Sequence, residues 1–387
     1  MAALFLLSKT SNLFRRLVSV GSRLFSIGAL VLFIVTLLAG LGTVPVASQT
    51  SLPTAMQFRY DATHSGDYSA VAGTSIGPLT WNYTTAGYVG SSPAVANGVV
   101  YVGSDDHNVY ALNATTSGKL WYYTTHGAVY SSPAVSNGVV YVGSNDGDVY
   151  ALNATSGAKL WNYTTGSYVH SSPAVINGTV YVGSENGKIY ALNAATGAMV
   201  WNYTTGNAVQ SSPAVVSGVV YVGSNDYNAY ALNATSGAKL WNYTTGSYVD
   251  SSPAVSNGKV YVGSRDTNLY ALNATSGAKL WNYTTGSYVD SSPAVSNGKV
   301  YVGSDDDIVY MFNATSGAKL WSYTTGNVVY SSCAVSNSVV YVGSNDGNVY
   351  ALSSGIAPLG QAATPGFDIV LAFLGLAIAS YALTRRG

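Results

Sequence analysis

The segment Ser-Ser-Pro-Ala-Val-Ser-Asn-Gly-Val-Val-Tyr-Val-Gly-Ser at Ser131–Ser144 returns, with small changes, every forty residues. Its Ser-Ser pair opens at 91, 131, 171, 211, 251, 291 and 331, and all seven tryptophans keep the same period (Trp81, Trp121, Trp161, Trp201, Trp241, Trp281 and Trp321). A chain built this way has no single irregular core. Each copy is a supersecondary unit that buries its apolar side only against the copies on either side.

One copy resolves into four strands. Ser131 to Val135 is a short run closed by Asn137-Gly138, a hairpin signal because both central positions of a type I′ turn need positive φ. Val139 to Ser144 is β-branched and aromatic. Asn145-Asp146-Gly147 turns into Val149–Asn153, and Ala154-Thr155-Ser156-Gly157 turns into Lys159–Thr165. Four short antiparallel strands in forty residues describe a propeller blade, and no helical period competes between Ile76 and Leu352. The proline suits an innermost strand, whose free edge faces the axis. The seventh copy has no Leu-Trp strand after Leu352, whereas a spare one, Leu79–Thr85, precedes the first Ser-Ser-Pro. The expected fold is an all-β, seven-bladed propeller of four-stranded antiparallel blades. In it the N-terminal strand completes the last blade and removes free sheet edges.

The ends differ in character. Arg15, Arg16 and Arg23 precede an apolar run from Leu24 to Leu41, then Val44-Pro45-Val46-Ala47-Ser48, the three-part layout of an export signal or an uncleaved signal anchor. At the other end an apolar run from Ile369 to Leu383 is closed by Arg385-Arg386, which stay cytoplasmic and hold the repeats outside. Both terminal apolar runs are expected to be helical. The divisions are therefore 1–48 signal peptide or anchor, 49–78 lead-in, 79–353 propeller, 354–364 short linker, and 365–387 membrane anchor or sorting signal.

Composition excludes several functions. Only 8% of residues are charged and the net charge is zero, so phosphate neutralisation by clustered Lys and Arg, and with it nucleic-acid binding, is not expected. The one cysteine, Cys333, stands where other copies have proline, and a single cysteine excludes an intrachain disulfide. The histidines His64, His107, His126 and His170 fall at different repeat phases, so no zinc site is expected. No phosphate-binding glycine loop leads from strand to helix. The turn residues Asp106, Asp146 and Asp226 are expected to bond their own backbone.

The pattern Tyr-Val-Gly-Ser-x-Asp-Gly-x-Val-Tyr-Ala-Leu-Asn-Ala-x-Ser-Gly-x-x-x-Trp resembles the PQQ-like propeller repeat of quinoprotein alcohol dehydrogenases and BamB-like assembly lipoproteins. The lead-in Met56–Gly66 is similar to segments preceding secreted propellers of that group. The resemblance implies that Trp81 through Trp321 dock between neighbouring blades. Quinone chemistry in that group uses a vicinal cysteine pair and a tryptophan outside the repeat; this chain has neither. No enzyme activity and no cofactor are expected. Thr364-Pro365-Gly366-Phe367, the apolar run and Arg-Arg together resemble the PGF-CTERM sorting signal of archaeal surface proteins, which implies tail removal and a lipid anchor. The long Thr-rich spacer usual there is missing.

Comparing copies locates the variation. In four antiparallel strands the loop leaving the fourth and the turn joining second to third share one face. The opposite-face turns repeat nearly verbatim, while this face varies. Before each Ser-Ser stand Gly90, Tyr130, His170, Gln210, Asp250, Asp290 and Tyr330. After each Tyr-Val-Gly-Ser stand Asp105, Asn145, Glu185, Asn225, Arg265, Asp305 and Asn345, and two places on come His107, Gly147, Gly187, Tyr227, Thr267, Asp307 and Gly347. Diversity over a constant scaffold marks a candidate binding face, carried by Tyr130, His170, Gln210, Asp250, Asp290, Tyr330, His107, Arg265 and Asp305.

Asn-x-Thr glycosylation sequons fall at Asn82, Asn113, Asn153, Asn162, Asn177, Asn202, Asn233, Asn242, Asn273, Asn282 and Asn313. These positions lie mainly on the outer strand and the opposite face. The expectation is a monomeric propeller on the outer face of the cell membrane, binding a protein or glycan partner without bond chemistry. A BamB-like assembly factor is the alternative, and a quinone- or metal-dependent oxidoreductase the remoter one.

Overall fold

The computed structural model describes residues 55–56, 80–336 and 338–353; the expected export signal, linker and C-terminal anchor lie outside the described residues. Seven antiparallel sheets follow one another along the chain, each with its strands in sequence order. The fourth blade is representative: Ala214–Val216, Val219–Gly223, Asn228–Asn233 and Lys239–Thr244 run from axis to rim. Its first turn holds Ser217 at φ 50° and Gly218 at φ 78°, the paired positive values that the hairpin demands. The outer pair shifts register between Ala231 and Leu232, which leaves Leu240 bulged and exposed. Inner strands begin at the alanine after the proline and are therefore shorter than the sequence suggests. Proline has no N–H to give the ladder.

Adjacent blades interlock through repeat positions. Ala174, Tyr181, Ile189, Ala191 and Trp201 of the third blade pack against Val209, Val215, Val220, Val222, Tyr230, Leu232 and Ala234 of the fourth. The Trp201 indole donates to Ala234 O at 2.9 Å, and Tyr181 OH reaches the same carbonyl at 3.0 Å. Each Trp thus joins its own blade to the next, as the resemblance implied. Near the axis the buried Ser-Ser pairs form a second tie. Ser171 Oγ donates to Ser211 O at 3.0 Å, Ser172 N donates to Ser212 Oγ at 2.9 Å, and the pattern recurs from blade to blade. Burying these hydroxyls is tolerable because each one is hydrogen-bonded.

Two features were not anticipated. Ala55–Met56 in the lead-in adds a strand to the axial edge of the second blade, pairing Ala55 with Ser136 and Met56 with Val135. The seam is the other. Among the described residues the seventh sheet has three strands, and residues 80–85 form no strand and do not pair with Val349–Ser353. Trp81 nevertheless makes the contact that Trp121 through Trp281 make: its indole donates to Ala114 O at 2.9 Å, and Trp81 and Tyr83 pack on Val102, Tyr110 and Leu112. The Leu-Trp segment therefore seats on the first blade by its side chains, but the backbone ladder expected to complete the last blade is not made. Val349 is 80% exposed and Val89 51%, where their interior counterparts Val149 and Val129 are fully buried. Side-chain docking repeats with the sequence, whereas a ladder across the seam also needs both ends of the array brought into register.

Candidate binding face

The turn between second and third strands is built around an aspartate in six of the seven blades, with Asn186 in the remaining one. In the fourth blade Asp226 Oδ1 accepts from Asn228 N at 3.1 Å, the local bond expected of a turn aspartate. Its Oδ2 does more: it accepts from Tyr230 OH and from Gly206 N, both at 2.6 Å, and Gly206 belongs to the loop leaving the third blade. Burial pushes the Asp226 acid upward, but the hydrogen bonds from Tyr230, Gly206 and Asn228 hold it below the usual carboxylate range. These residues are scaffold, and they fix the height of the neighbouring variable loops. Asp226→Ala should cost about 2 kcal/mol in urea unfolding, since it strands a buried phenol and a backbone N–H. A midpoint indistinguishable from the parent would remove the inter-blade role.

Upon this frame the variable side chains pair at a sequence separation of twenty-five. Tyr130 OH donates to Asp105 Oδ2 at 3.1 Å, and Gln210 Nε2 donates to Glu185 Oε1 at 2.8 Å. Arg265 Nε donates to Asp290 Oδ1 at 3.0 Å, and the Tyr330 hydroxyl hydrogen-bonds Asp305. Links between blades join these pairs. His170 Nδ1 lies 2.9 Å from Glu185 Oε1, and its ring meets Tyr130 edge-on at 5.4 Å. Arg265 Nε also stands 2.9 Å from Asp250 Oδ2. The result is an arc of coupled polar groups from Asp105 to Tyr330, with Asp105, Glu185, Asp250, Asp290 and Asp305 set against Arg265.

Electrostatics record the crowding. Burial raises the Asp250 acid, Arg265 opposes that, and the Asp290 and Glu185 charges add to it. Burial together with Asp290 pushes Asp305 up to about 6. Although burial disfavours the Arg265 charge, its hydrogen bond to Asp290 and the surrounding carboxylates raise its pKa further. Several acceptors on this face have no hydrogen-bond donor: Asp105 Oδ1, Asn145 Oδ1, Asn225 Oδ1 and Asp305 Oδ1.

The sequence profile of a family described as outer membrane protein assembly factor BamB matches residues 66–176, 164–250 and 231–355. The chain belongs to this family. No curated protein sequence matches. Among solved structures, BamB from Moraxella catarrhalis superposes with a TM-score of 0.63 at 23% identity, covering 70% of this chain and 87% of that one. The computationally designed Ika8 protein gives 0.63 at 18% identity, covering 68% and 83%. A europium-containing methanol dehydrogenase gives 0.63 at 14% identity, covering 77% and 83%. At these identities the likeness shows a shared PQQ-like propeller fold.

In this BamB-family propeller the nine residues singled out by sequence fare unequally. Tyr130, His170, Gln210, Asp250, Arg265, Asp290, Asp305 and Tyr330 all join the arc. His107 does not: exposed, it occupies the positive-φ corner of its turn at 69°, the corner that Tyr227 and the half-buried Thr267 and Asp307 hold in theirs. Variation at that phase therefore accompanies backbone geometry. Sequence reasoning passed over Tyr168 and Tyr248, which flank the arc. Tyr168 stacks on His170 at 5.9 Å, and the Arg265 guanidinium lies 5.9 Å above the Tyr248 ring. Their signal was available, since tyrosine recurs two positions before the variable residue at 88, 168, 248 and 288. The sequon asparagines Asn82, Asn162, Asn177, Asn202, Asn242 and Asn282 are exposed. Asn113, Asn153, Asn233, Asn273 and Asn313 are half-buried and accept turn N–H groups through Oδ1.

Asp305 gives a pH-dependent expectation. Its folded pKa lies above the unfolded value of about 3.9, so between pH 4 and 6 the unfolded chain releases a proton that the folded one keeps. The ionised group therefore costs stability above pH 6 and nothing below about pH 4. Asp305→Asn should stabilise by about 1 kcal/mol at pH 7.5, allowing for partial solvent screening, and by nothing at pH 4. Melting temperatures at the two pH values check this; an equal gain at both rejects the assignment.

Proposed function

We propose that this BamB-family propeller is a non-catalytic binding module that presents its variable loop face to a protein or glycan partner on the outer face of the cell membrane. The observation that carries the reading is the arc itself. Eight of the residues that vary between otherwise copied blades converge on one another on the side opposite the constant Asn-Ala-Thr turns. Rigid display is the mechanism, with loop height fixed by the turn aspartates and blade spacing by Trp and Ser-Ser contacts. Tethering through the export signal and a C-terminal anchor of PGF-CTERM type, with archaeal origin and glycans on rim and back, belongs to the same proposal.

The test is joint replacement of Tyr130, His170 and Tyr330 by serine, followed by partner capture on the native cell surface. Capture equal to the parent removes the reading. A second role, assembly factor for envelope proteins, is favoured by the family match. It predicts a specific membrane protein on pull-down. Mass spectrometry of native protein would report both cleavage sites, sequon occupancy and any stoichiometric cofactor, the last of which would revive the oxidoreductase alternative.

A further inference from the structure

We propose that the variable face recognises a cationic segment of a protein partner, whose lysine or arginine side chains enter the carboxylate arc between Glu185 and Asp305. This rests on the binding-face reading above and adds the chemistry of the partner. Two independent observations support it. The first is charge: Asp105, Glu185, Asp250, Asp290 and Asp305 share this arc with Arg265, in a chain whose overall net charge is zero. The second is satisfaction. The Asp250 side chain is only 10% exposed, with Asn225 as a polar neighbour, and the one cation beside it, Arg265, shares a single Nε–H between Asp250 at 2.9 Å and Asp290 at 3.0 Å. Asp105, Asn145, Asn225 and Asp305 each leave an oxygen without a donor. Buried acceptors without donors are costly, and the atom that relieves them must bring hydrogen.

Ammonium and guanidinium groups carry donors only, so each of their hydrogens can be used here. A sugar hydroxyl brings acceptors as well, and these would find mainly Arg265 to answer them. Flanking rings fit the same guest. Tyr168 and Tyr288 are exposed beside the arc and Tyr330 within it, and Arg265 over Tyr248 already shows the geometry of a cation on a tyrosine face.

The experiment uses the full chain and a fluorescein-labelled hexa-arginine peptide, followed by anisotropy at physiological salt, with hexa-glutamine and hexa-glutamate as comparisons. Hexa-arginine alone should bind. Asp250→Asn combined with Asp290→Asn should weaken it about tenfold. Asp148→Asn, which removes a carboxylate paired with Asn162 on the outer strand, should change it less than about twofold. No binding of hexa-arginine, or equal losses from the inner and outer variants, overturns the proposal. If the Tyr130, His170 and Tyr330 replacement abolishes partner capture while hexa-arginine fails to bind, the face is a binding site of different chemistry. If neither responds, both readings fall.

Discussion

Gly223→Ala should lower stability by about 3 kcal/mol, whereas Gly343→Ala, the same change at the same repeat position, should leave it within about 0.5 kcal/mol of the parent. A Cβ on Gly223 would lie 2.3 Å from Val249 O and 2.5 Å from Val249 Cγ1, both on the next blade. Neither atom can withdraw without separating the sheets. Gly103, Gly143, Gly183, Gly263 and Gly303 face the same obstruction from Val129, Val169, Val209, Val289 and Val329. Around Gly343 the nearest atom is Ser331 Oγ at 3.5 Å, an ordinary contact. The residue that repeat phase assigns opposite Gly343 is Val89, which is half exposed. Urea midpoints of the two variants therefore measure the seam. Equal destabilisation would mean that the seventh blade packs on the first as tightly as any interior pair, and the exposed seam described above would be wrong.

Trp201→Ala should cost about 4 kcal/mol, and Trp81→Ala about half of that. Trp201 is buried between the third and fourth blades, with its indole hydrogen on Ala234 O and Gly237 beneath the ring. At Gly237, φ is +70° and a Cβ would stand 2.7 Å from the indole carbons, so the turn and the ring fix each other. Removing the ring opens a cavity that strands on both sides are too constrained to fill. Trp81 makes the same hydrogen bond but is only half-buried, at the end of the array. In its partner turn the residue at the corresponding phase is Ser117, at φ 58°. A side chain is accepted there because the seat is looser. Calorimetry of both variants checks the ordering; equal losses would place Trp81 in a fully covered interface.

Much of this architecture was written in the repeat. Asn137-Gly138 and its counterparts fix a tight turn, Val139–Gly143 a strand, and Trp161 an inter-blade contact, because each depends on residues close in sequence or one copy away. The same logic grouped most of the residues that meet in the arc: positions preceding Ser-Ser and following Tyr-Val-Gly-Ser differ between copies, and strand alternation puts them on one side. It grouped with them His107, which stands apart from the arc, since variation alone does not separate a side chain turned to a neighbour from one at a positive-φ corner. It also passed over Tyr168 and Tyr248, whose roles appear only once His170 and Arg265 lie against them.

Tertiary structure decided the rest. No local pattern says that Arg265 stands between Asp250 and Asp290, or that Ala55–Met56 lies along the second blade. Nor does one say that Trp81 can dock while its backbone leaves Val349–Ser353 unpaired. A forty-residue period determines contacts between copies because it repeats the same short-range choice many times. Contacts made once, at the seam, along the axis and across the charged arc, depend on where distant segments arrive in space, and only the folded chain sets that.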